Sequence, residues 1–301
     1  MKPQSAMSRF DKACALAAAK QPDLAAARCE FAAAAAEGDV RGALVSASFL
    51  AGGIGGPRDW QGALAILRQW SGRDALAARQ MDLISAMDLT GDGLPRSVPS
   101  PRPLHGAKRI EMVERLLTPA ECGFLIEMAA PRLQPAPVLA APDEARVRPV
   151  IRDAAAAMFR LAEEPPFLSA VNARIAAATR TDVRRGEPLQ IMRYQPGQQY
   201  RPHVDGVAGG ANKRVMTAII YLNDGYEGGA TAFTELGLAV RGRPGDMLLF
   251  RNLDEAGELD RNMRHAGLPV THGVKFIASR WILQRPPYDE HGSLIGTSIW
   301  S

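Results

Sequence analysis

Cysteine is scarce in this chain of 301 residues. Its three cysteines, Cys14, Cys29 and Cys122, are too few and too scattered to form a disulfide framework. They also lack the C-x-x-C spacing that structural zinc sites use. The sequence therefore excludes a disulfide-stabilised small domain and a zinc ribbon, and it is typical of a protein from a reducing compartment.

Long hydrophobic runs are also missing. No uninterrupted apolar stretch reaches the roughly 20 residues that a membrane-spanning helix needs. The alanine-rich start of the chain is interrupted by Arg9, Asp11 and Lys12, and no clear cleavage site follows it. We therefore expect neither a signal peptide nor a membrane partner. Together with the cysteine content, this predicts a cytoplasmic location.

Charge of one sign is not concentrated in any part of the chain. Lysine and arginine total 36 against 32 acidic residues, which gives a formal net charge of +4. The basic residues are spread along the sequence, whereas nucleic-acid binding usually needs a basic patch or stripe. We therefore expect no nucleic-acid partner, and the small basic excess favours acidic partners only slightly.

The first part of the chain, residues 1–94, is predicted to be a helical domain. Alanine, the best helix former, dominates it, and apolar residues recur at three- and four-residue spacing. Asp59 is a suitable N-cap for the amphipathic run WQGALAILRQW. Residues 95–106 are rich in Pro, Ser and Arg, which predicts a linker. We expect the histidine of this linker, His105, to be solvated rather than a ligand.

The helical region contains a weak internal repeat. Two segments each combine a small-residue helix with a glycine-rich turn: EGDVRGALVSASFLAGGIGG and SGRDALAARQMDLISAMDLTGDG. Their period, roughly in the thirties, is typical of paired-helix arrays. The pattern resembles the Sel-like branch of the tetratricopeptide repeats, which implies a concave surface for a peptide or protein partner. A plain helical cap packed on the next domain is an equally good interpretation.

Residues 107–288 change from helical to strand periodicity. RIEMVERLLT indicates a strand entering a turn, and a capping box at Thr118 predicts the start of a helix. The Pro/Ala-rich segment 133–149 predicts a mobile loop, and AAAAMFRLAEEPPFLSAVNARIAAATR predicts two further helices. Short strand-like runs separated by Gly and Asn/Asp turns then predict a double-stranded β-helix, or jelly roll, in an α+β fold. The tail, 289–301, shows no periodicity.

The histidines of the strand-rich part indicate a metal site. His203, Val204 and Asp205 form an H-x-D motif, and His265 follows after several strand-like runs. Because side chains of a strand alternate faces, His203 and Asp205 should point to the same side and hold one ion. A second histidine from a distant strand completes a 2-His-1-carboxylate set, which leaves coordination positions open and suits non-haem Fe(II) oxygenases. We expect His203, Asp205 and His265 to be metal ligands and catalytic residues.

Further motifs extend the pattern beyond these ligands. The segment from about Arg109 to Tyr288 resembles the catalytic domain of the prolyl 4-hydroxylase branch of the Fe(II)/2-oxoglutarate dioxygenases through LTPAECGFLIEMA, EPLQIMRYQPGQQYRPHVD, AIIYLNDGYEGGATAFTE, RGRPGDMLLFRNLD and RHAGLPVTHGVKFIASRWI. The resemblance implies that Lys275 pairs with the distal carboxylate of 2-oxoglutarate and that Tyr194 hydrogen-bonds this cosubstrate. A buried carboxylate requires such a cation. Ser279 shares strand parity with Lys275 and is a further candidate cosubstrate donor.

Two alternatives to these assignments lie nearby. His272 would face away from His265 if the strand were continuous, and its T-H-G context is typical of a turn, so His265 is the favoured ligand. Arg280 is the alternative carboxylate anchor, but its strand parity differs from that of Lys275. A jelly-roll core with incidental histidines is the general alternative, and the combination of motif residues argues against it.

The substrate side of the expected pocket is less clearly marked. Members of the resembled family that act on peptidyl proline carry an R-T-S-like segment, and VIRDAAAAMF stands in its place here, with no serine after its arginine. Arg152 is the candidate substrate contact, and Tyr200 and Trp281 are candidate pocket walls. Simple core packing is an equally good interpretation of the two aromatics. The preceding Pro/Arg-rich loop is expected to act as a lid.

The resemblance implies a 2-oxoglutarate-dependent dioxygenase that uses Fe(II) and O2, releases succinate and CO2, and uses ascorbate to rescue over-oxidised iron. The expected reaction is hydroxylation of an unactivated C–H bond in a peptide or protein side chain, most simply proline. Hydroxylation of a small molecule, such as a free amino acid, is an alternative with the same mechanism. A non-catalytic helical-repeat adaptor with a vestigial barrel is the alternative from another class, and the complete ligand set argues against it.

Overall fold

The structure, a computed structural model, describes residues 7–104, 107–136, 138–139, 150–206, 212–289 and 292. The chain divides into two compact units. The first comprises Met1–Ser97, Phe159–Arg174 and Pro286–Ser301, and the second comprises Val98–Met158 and Ile175–Arg285. Within the described ranges, no helix is both long and apolar enough to span a bilayer.

In residues 7–104 the structure has five helices, and a polar side chain caps the N-terminus of each. These caps accept hydrogen bonds from first-turn N–H groups that have no partner inside the helix. The prediction for Asp59 is confirmed, because its carboxylate accepts from the backbone N–H of Gly62 at 2.8 Å. The helices are α1 (Arg9–Ala18), α2 (Leu24–Ala36), α3 (Val40–Gly52), α4 (Trp60–Trp70) and α5 (Ala75–Ser85).

Small residues allow these helices to pack closely. Phe31 of α2 and Phe49 of α3 are buried, and their rings meet edge to face with centroids 5.2 Å apart. Gly42 of α3 lies where a Cβ atom would come within 2.7 Å of the Cβ of Ala34, so a larger residue would push α2 and α3 apart. The many small residues of this region therefore allow its helices to form a tightly packed core.

The helical prediction for the N-terminal part is confirmed for Arg9–Ser85 but not for its last residues. Residues 86–94 form turns and bends, with an isolated bridge between Leu89 and Pro95. The glycines and aspartates of this stretch, in the run DLTGDG, favour turns over helix. The repeat interpretation, its partner surface and the domain boundaries stay predictions.

The second unit is built mainly from antiparallel strands. In chain order they are β1 (Arg102–Leu104), β2 (Ala107–Val113), β3 (Gln134–Pro135), β4 (Val138–Leu139), β5 (Val150–Arg152), β6 (Ala155–Phe159), β7 (Leu189–Tyr194), β8 (Tyr200–His203), β9 (Arg214–Tyr221), β10 (Tyr226–Gly228), β11 (Thr231–Phe233), β12 (Leu238–Val240), β13 (Met247–Arg251), β14 (His265–Gly267), β15 (Val270–Gly273) and β16 (Lys275–Leu283). The periodicity of the sequence predicted most of the longer strands.

These strands form the predicted jelly roll. One sheet has eight strands in the order β1-β2-β13-β9-β16-β7-β6-β3, and another has six in the order β12-β11-β14-β8-β5-β4. A short antiparallel pair, β10 and β15, accompanies them. Phe233 of the six-stranded sheet and Phe250 of the eight-stranded sheet are fully buried with ring centroids 5.1 Å apart, so the core lies between the two sheets.

Two more helices complete the described chain, α6 (Pro119–Ala129) and α7 (Pro166–Thr179). The predicted capping box of α6 is present. The hydroxyl of Thr118 accepts from the N–H of Glu121 at 3.3 Å, and the Glu121 carboxylate accepts from the N–H of Thr118 at 2.7 Å. The second of the two helices predicted after the loop is confirmed as α7.

The prediction of the first of those two helices is wrong. Residues Ala155–Phe159 form β6 in the eight-stranded sheet, where side chains alternate between buried and half-buried. Alanine favours helix by well under 1 kcal/mol over most residues, so sheet pairing and burial override that preference. Short strands β3 and β4 lie within the predicted loop, while residues 140–149, His105 and most of the tail are outside the described residues.

Candidate active site

Strands β8 and β14 bring the two predicted histidine ligands together. They pair with His203 directly opposite His265, and the imidazole centroids are 4.3 Å apart. β8 ends at His203, and Asp205 lies in the bend beyond it. The expectation that strand alternation would align His203 with Asp205 is therefore wrong, because the bend and not the strand directs the carboxylate.

The three side chains nevertheless form one compact cluster. Asp205 Oδ1 lies 3.4 Å from Nε2 of His203, and Asp205 Oδ2 lies 3.6 Å from Nε2 of His265. One potential ligand atom from each residue lies within 4.8 Å of the others. It is the one such cluster of histidine, cysteine and acidic side chains in the part of the chain that the structure describes.

Backbone carbonyls orient both imidazoles toward the cluster. Nδ1 of His203 lies 2.8 Å from the carbonyl oxygen of Arg201, and Nδ1 of His265 lies 2.9 Å from that of Met263. A carbonyl oxygen can only accept, so each Nδ1 carries the proton and each Nε2 presents its lone pair. This tautomer is the one that a metal-binding histidine uses when a carbonyl holds its other nitrogen.

The protonation states also suit a cation. Burial lowers the pKa of His265 below its ordinary value, so its imidazole is neutral. Burial alone would raise the pKa of Asp205, but the positive charge that His265 or His203 carries when protonated and the hydrogen bond from the Thr217 hydroxyl hold that pKa well below its usual range. A neutral imidazole and an ionised carboxylate are the forms that bind metal ions. The donor set therefore fits Fe(II).

One further residue, Thr217, contacts this cluster, and Asn252 contacts Thr217; neither was predicted from the sequence. The Thr217 hydroxyl donates to Asp205 Oδ2 at 2.7 Å, and the Asn252 side chain donates to the Thr217 hydroxyl at 3.0 Å. Thr217 is one polar residue within the apolar strand β9, and Asn252 follows β13. Only the alternation of β9, which turns Thr217 to the interior, could have suggested a role.

Lys275 lies at the start of β16, within the same pocket as the metal cluster. Its ammonium group is buried and donates to the carbonyl oxygen of Gly229 at 2.6 Å. The ring centroids of Tyr194, Tyr221 and Tyr226 lie 5.7, 5.8 and 6.0 Å from the ammonium nitrogen. Cation–π attraction to these rings partly compensates for the loss of hydration.

The surroundings of Lys275 lower its affinity for a proton. Burial, with a smaller contribution from the positive charge of Arg241, lowers the pKa of Lys275 to about 8. No carboxylate of the described residues forms an ion pair with it. A buried ammonium group of this kind is suited to pair with a carboxylate brought by a ligand.

The two predicted cosubstrate donors line the same pocket as Lys275. Tyr194 is directly opposite Lys275 in the β7–β16 pair, and its hydroxyl lies 3.6 Å from the sulfur of Met192. Burial raises the pKa of Tyr194, which keeps the phenol protonated and able to donate. Ser279 is buried on β16 and lines the same pocket as Lys275, as strand parity predicted.

The three candidate substrate residues also line this pocket. The Tyr200 ring stacks on His203 with centroids 3.5 Å apart, and burial raises the Tyr200 pKa to about 12. The buried guanidinium of Arg152 lies 5.5 Å from the Tyr200 ring centroid. Among the described residues it donates to the carbonyl of Ala136 at 3.1 Å and contacts the sulfur of Met192 at 3.6 Å.

Trp281 has an unusual environment for a buried indole. Trp281 is only 6% exposed, and its indole N–H has no acceptor among the residues that the structure describes. The guanidinium of Arg214 lies over its ring at 4.0 Å and is held by Glu187 through contacts of 2.7 and 2.9 Å. The indole is therefore fixed in place with an unused donor in the pocket lining.

The two rival residues lie elsewhere. His272 is exposed on β15, opposite Glu227 of β10, and is not part of the metal cluster. Arg280 donates to the carbonyl oxygens of Glu187 and Val183, on the other face of β16 from the pocket. The structure thus brings together every site residue that the sequence favoured and leaves both rivals outside the pocket.

Comparisons with known proteins give the same picture. Residues 189–283 match the sequence model of the family described as "2OG-Fe(II) oxygenase superfamily". Prolyl 4-hydroxylase 1 of Arabidopsis thaliana is 30% identical over 204 residues, which cover 62% of this chain and 72% of that protein. The human prolyl 4-hydroxylase subunit alpha-1 is 31% identical over 193 residues, which cover 59% of this chain but only 35% of that protein.

One solved structure is also similar to part of the chain. The viral collagen prolyl hydroxylase from Paramecium Bursaria Chlorella virus-1 is 25% identical, with a TM-score of 0.43, and the match covers 60% of this chain and 99% of that one. The family match at 189–283 contains His203, Asp205, His265 and Lys275, whereas Arg152 lies before it.

Proposed function

Because the chain belongs to the prolyl 4-hydroxylases of the 2OG-Fe(II) oxygenase superfamily, we propose that it hydroxylates a prolyl residue of a peptide or protein. Members of this superfamily are oxidoreductases that use Fe(II) and 2-oxoglutarate. One observation supports the proposal most strongly. The cluster of His203, Asp205 and His265 lines the same pocket as the buried ammonium group of Lys275. The side chains of Arg152 and Trp281 also line this pocket.

His203, Asp205 and His265 would hold the iron, and Lys275 would hold the far carboxylate of 2-oxoglutarate. When bound, Fe(II) and 2-oxoglutarate together supply the oxidant that inserts one oxygen atom of O2 into a substrate C–H bond, with release of succinate and CO2. The protein residues bind and orient the reactants and exclude water. Tyr194, opposite Lys275, and Ser279, further along β16 in the same pocket, are suited to donate hydrogen bonds to the same cosubstrate.

Arg152 and Trp281 would position the peptide. Both are buried donors in the pocket lining, and the carbonyl oxygens of an extended peptide are acceptors of the right kind. The ring of Tyr200, stacked on His203, provides an apolar wall against which a pyrrolidine ring could pack beside the metal cluster. This arrangement would present one ring carbon to the oxidant.

A free amino acid is the second candidate substrate. Within the part of the chain that the structure describes, the Arg152 guanidinium contacts a carbonyl oxygen and a thioether sulfur and no carboxylate. It could therefore form a bidentate pair with the α-carboxylate of free proline. By analogy with the family, we also propose ascorbate as an accessory reductant. The scattered cysteines support a cytoplasmic location, and the repeat-like pattern of the N-terminal helices supports a protein partner.

The test is turnover of a proline-containing peptide with Fe(II), 2-oxoglutarate, ascorbate and O2. We expect mass spectrometry to find one added oxygen atom on proline, with an equimolar amount of succinate. His265→Ala should lose both products, and the matched variant His272→Ala should keep both. Hydroxylation of free proline but of no peptide would support the second candidate. An intact, folded protein that forms no succinate with any prolyl substrate would contradict the proposal.

A further inference from the structure

We propose that Thr217 and Asn252 are positioning residues that hold Asp205 as a one-oxygen metal ligand. This inference rests on the metal site of the proposed function. The three side chains form a buried chain in which Asn252 contacts Thr217 and Thr217 contacts Asp205, with exposures of 3%, 1% and 5%. In such surroundings hydrogen bonds are stronger than in water, and breaking one is costly.

The direction of each hydrogen bond follows from chemistry. An ionised carboxylate can only accept, so the single hydroxyl proton of Thr217 is directed to Asp205 Oδ2 at 2.7 Å. The alternative acceptor for that proton, Asn252 Oδ1, is 3.4 Å away and neutral, which makes it the weaker choice. Asn252 must therefore donate through Nδ2 to the Thr217 oxygen at 3.0 Å, which directs the hydroxyl proton toward Asp205.

The chain of hydrogen bonds also links the two sheets. Thr217 lies within β9 of the eight-stranded sheet, paired with Phe250 of β13 on one side and Trp281 of β16 on the other. Asp205 lies beyond the end of β8, which belongs to the six-stranded sheet. Because Asp205 is in a bend, strand pairing does not fix its side chain. The Thr217 hydroxyl supplies that restraint from the opposite sheet.

The restraint has a consequence for metal binding. The Thr217 hydroxyl donates to Asp205 Oδ2, which lies 3.6 Å from Nε2 of His265, while Oδ1 has no hydrogen bond from Thr217 and lies 3.4 Å from Nε2 of His203. A carboxylate with one oxygen held in this way would offer the other oxygen to the metal. Together with two histidines it would leave three octahedral positions for the cosubstrate and O2. A carboxylate released from Thr217 could bind through both oxygens and occupy one of those positions.

Co(II) binding to the metal-free protein tests this proposal without any turnover. We would titrate anaerobically and record both the affinity and the visible absorption spectrum, which reports the coordination geometry. Thr217→Val keeps the side-chain shape but removes the hydroxyl, and we expect about 10- to 100-fold weaker Co(II) binding with a changed spectrum. Thr217→Ser restores the hydroxyl and should restore most of the affinity and the spectrum. Asn252→Leu should weaken binding in the same direction but less.

Thr231→Val is the matched control, because Thr231 lines the same pocket but does not contact a member of the metal cluster. It should bind Co(II) like the unchanged protein. Melting of the metal-free variants checks that each is folded. An unchanged affinity and spectrum in Thr217→Val, or an equal loss in Thr231→Val, would overturn the proposal. If Thr217→Val does not fold, an unchanged Asn252→Leu would overturn it.

Failure of the proposed function would look different. In that case the unchanged protein would bind Co(II), and Thr217→Val would still bind it more weakly, but no prolyl peptide would be hydroxylated. The positioning role of Thr217 would then stand for whichever substrate the site serves.

Discussion

At the scale of single residues, Lys275 has the most demanding environment in the pocket. Lys275 is 3% exposed, and the carbonyl of Gly229 is the one hydrogen-bond acceptor of its ammonium group among the described residues. Gly229 has a φ of +62°, and a Cβ there would lie 3.1 Å from Cδ of Lys275. The glycine therefore allows both the left-handed backbone and the close approach of the lysine.

Replacing Lys275 should chiefly weaken cosubstrate binding. In Lys275→Ala the far carboxylate of 2-oxoglutarate would be buried without a partner, and the loss of one member of a buried ion pair costs about 3–5 kcal/mol. We expect the dissociation constant of 2-oxoglutarate to rise by at least about a hundredfold. Anaerobic calorimetry with the Co(II)-loaded protein measures it. Lys213→Ala, which removes a lysine paired with Glu258, is the control and should bind normally.

Cosubstrate binding should also depend on pH through the same residue. The pKa of Lys275 in the empty pocket is lowered to about 8, and a bound carboxylate would raise it again. Binding therefore requires proton uptake once the pH exceeds about 8. Affinity should be constant below that pH and fall above it, by up to about tenfold per pH unit.

Calorimetry between pH 7 and pH 9.5 would measure this dependence, using protein loaded with Co(II). Lys275→Ala should show a flat profile over the same interval, since it has no proton to gain. A flat profile in the unchanged protein would mean that the lysine keeps its charge in the empty pocket, contrary to the expectation.

The sequence predicted the residues that carry charge at this site but not those that support them. His203, Asp205, His265 and Lys275 belong to a spaced motif of unusual residue types, so their chemistry is visible in one dimension. Thr217 is an ordinary strand residue, and its importance depends on a hydrogen bond to a bend that no local pattern predicts. Support of this kind arises from tertiary packing.

At the scale of elements, the prediction succeeded where local signals and tertiary structure agree. Helix α6 begins at its capping box, and the strands from β7 onward follow alternating apolar patterns between turns. It failed for Ala155–Phe159, because alanine gives no alternating pattern and the edge pairing with β3 is not visible in sequence. The same limit applies to Asp205, which was expected in a strand and lies in a bend.

The capping box of α6 should contribute measurably to stability. Thr118→Ala removes the acceptor for the N–H of Glu121 and leaves that first-turn group without its side-chain partner. We expect a loss of about 1 kcal/mol in the free energy of unfolding, measured by urea denaturation. Thr118→Ser keeps the hydroxyl and is the control. Equal stability of the alanine and serine variants would show that the box makes no net contribution.

At the scale of the whole molecule, the matched segment covers 72% of the Arabidopsis relative but 35% of the human one. The metal cluster and Lys275 both lie in the second compact unit, Val98–Met158 with Ile175–Arg285. Ligands that bind only the folded form of this unit stabilise it by mass action. Metal and cosubstrate should therefore act on unfolding as well as on catalysis.

We expect Co(II) and 2-oxoglutarate, added anaerobically, to raise the melting temperature measured by scanning calorimetry. At a free ligand concentration a hundredfold above the dissociation constant, each site gains about 2.7 kcal/mol. His203→Ala should melt without this increase, because the metal cluster loses a member. If neither ligand changes the melting temperature of the intact protein, the assignment of the pocket would be contradicted.

The lowered pKa of Lys275 has a consequence for the reactivity of the empty pocket. With a pKa of about 8, roughly a tenth of these side chains are neutral amines at pH 7, and a neutral amine is a nucleophile. An electrophile small enough to enter the pocket would acylate Lys275, and bound 2-oxoglutarate would protect it. The residue that recognises the cosubstrate is therefore also a point of attachment for a covalent inhibitor.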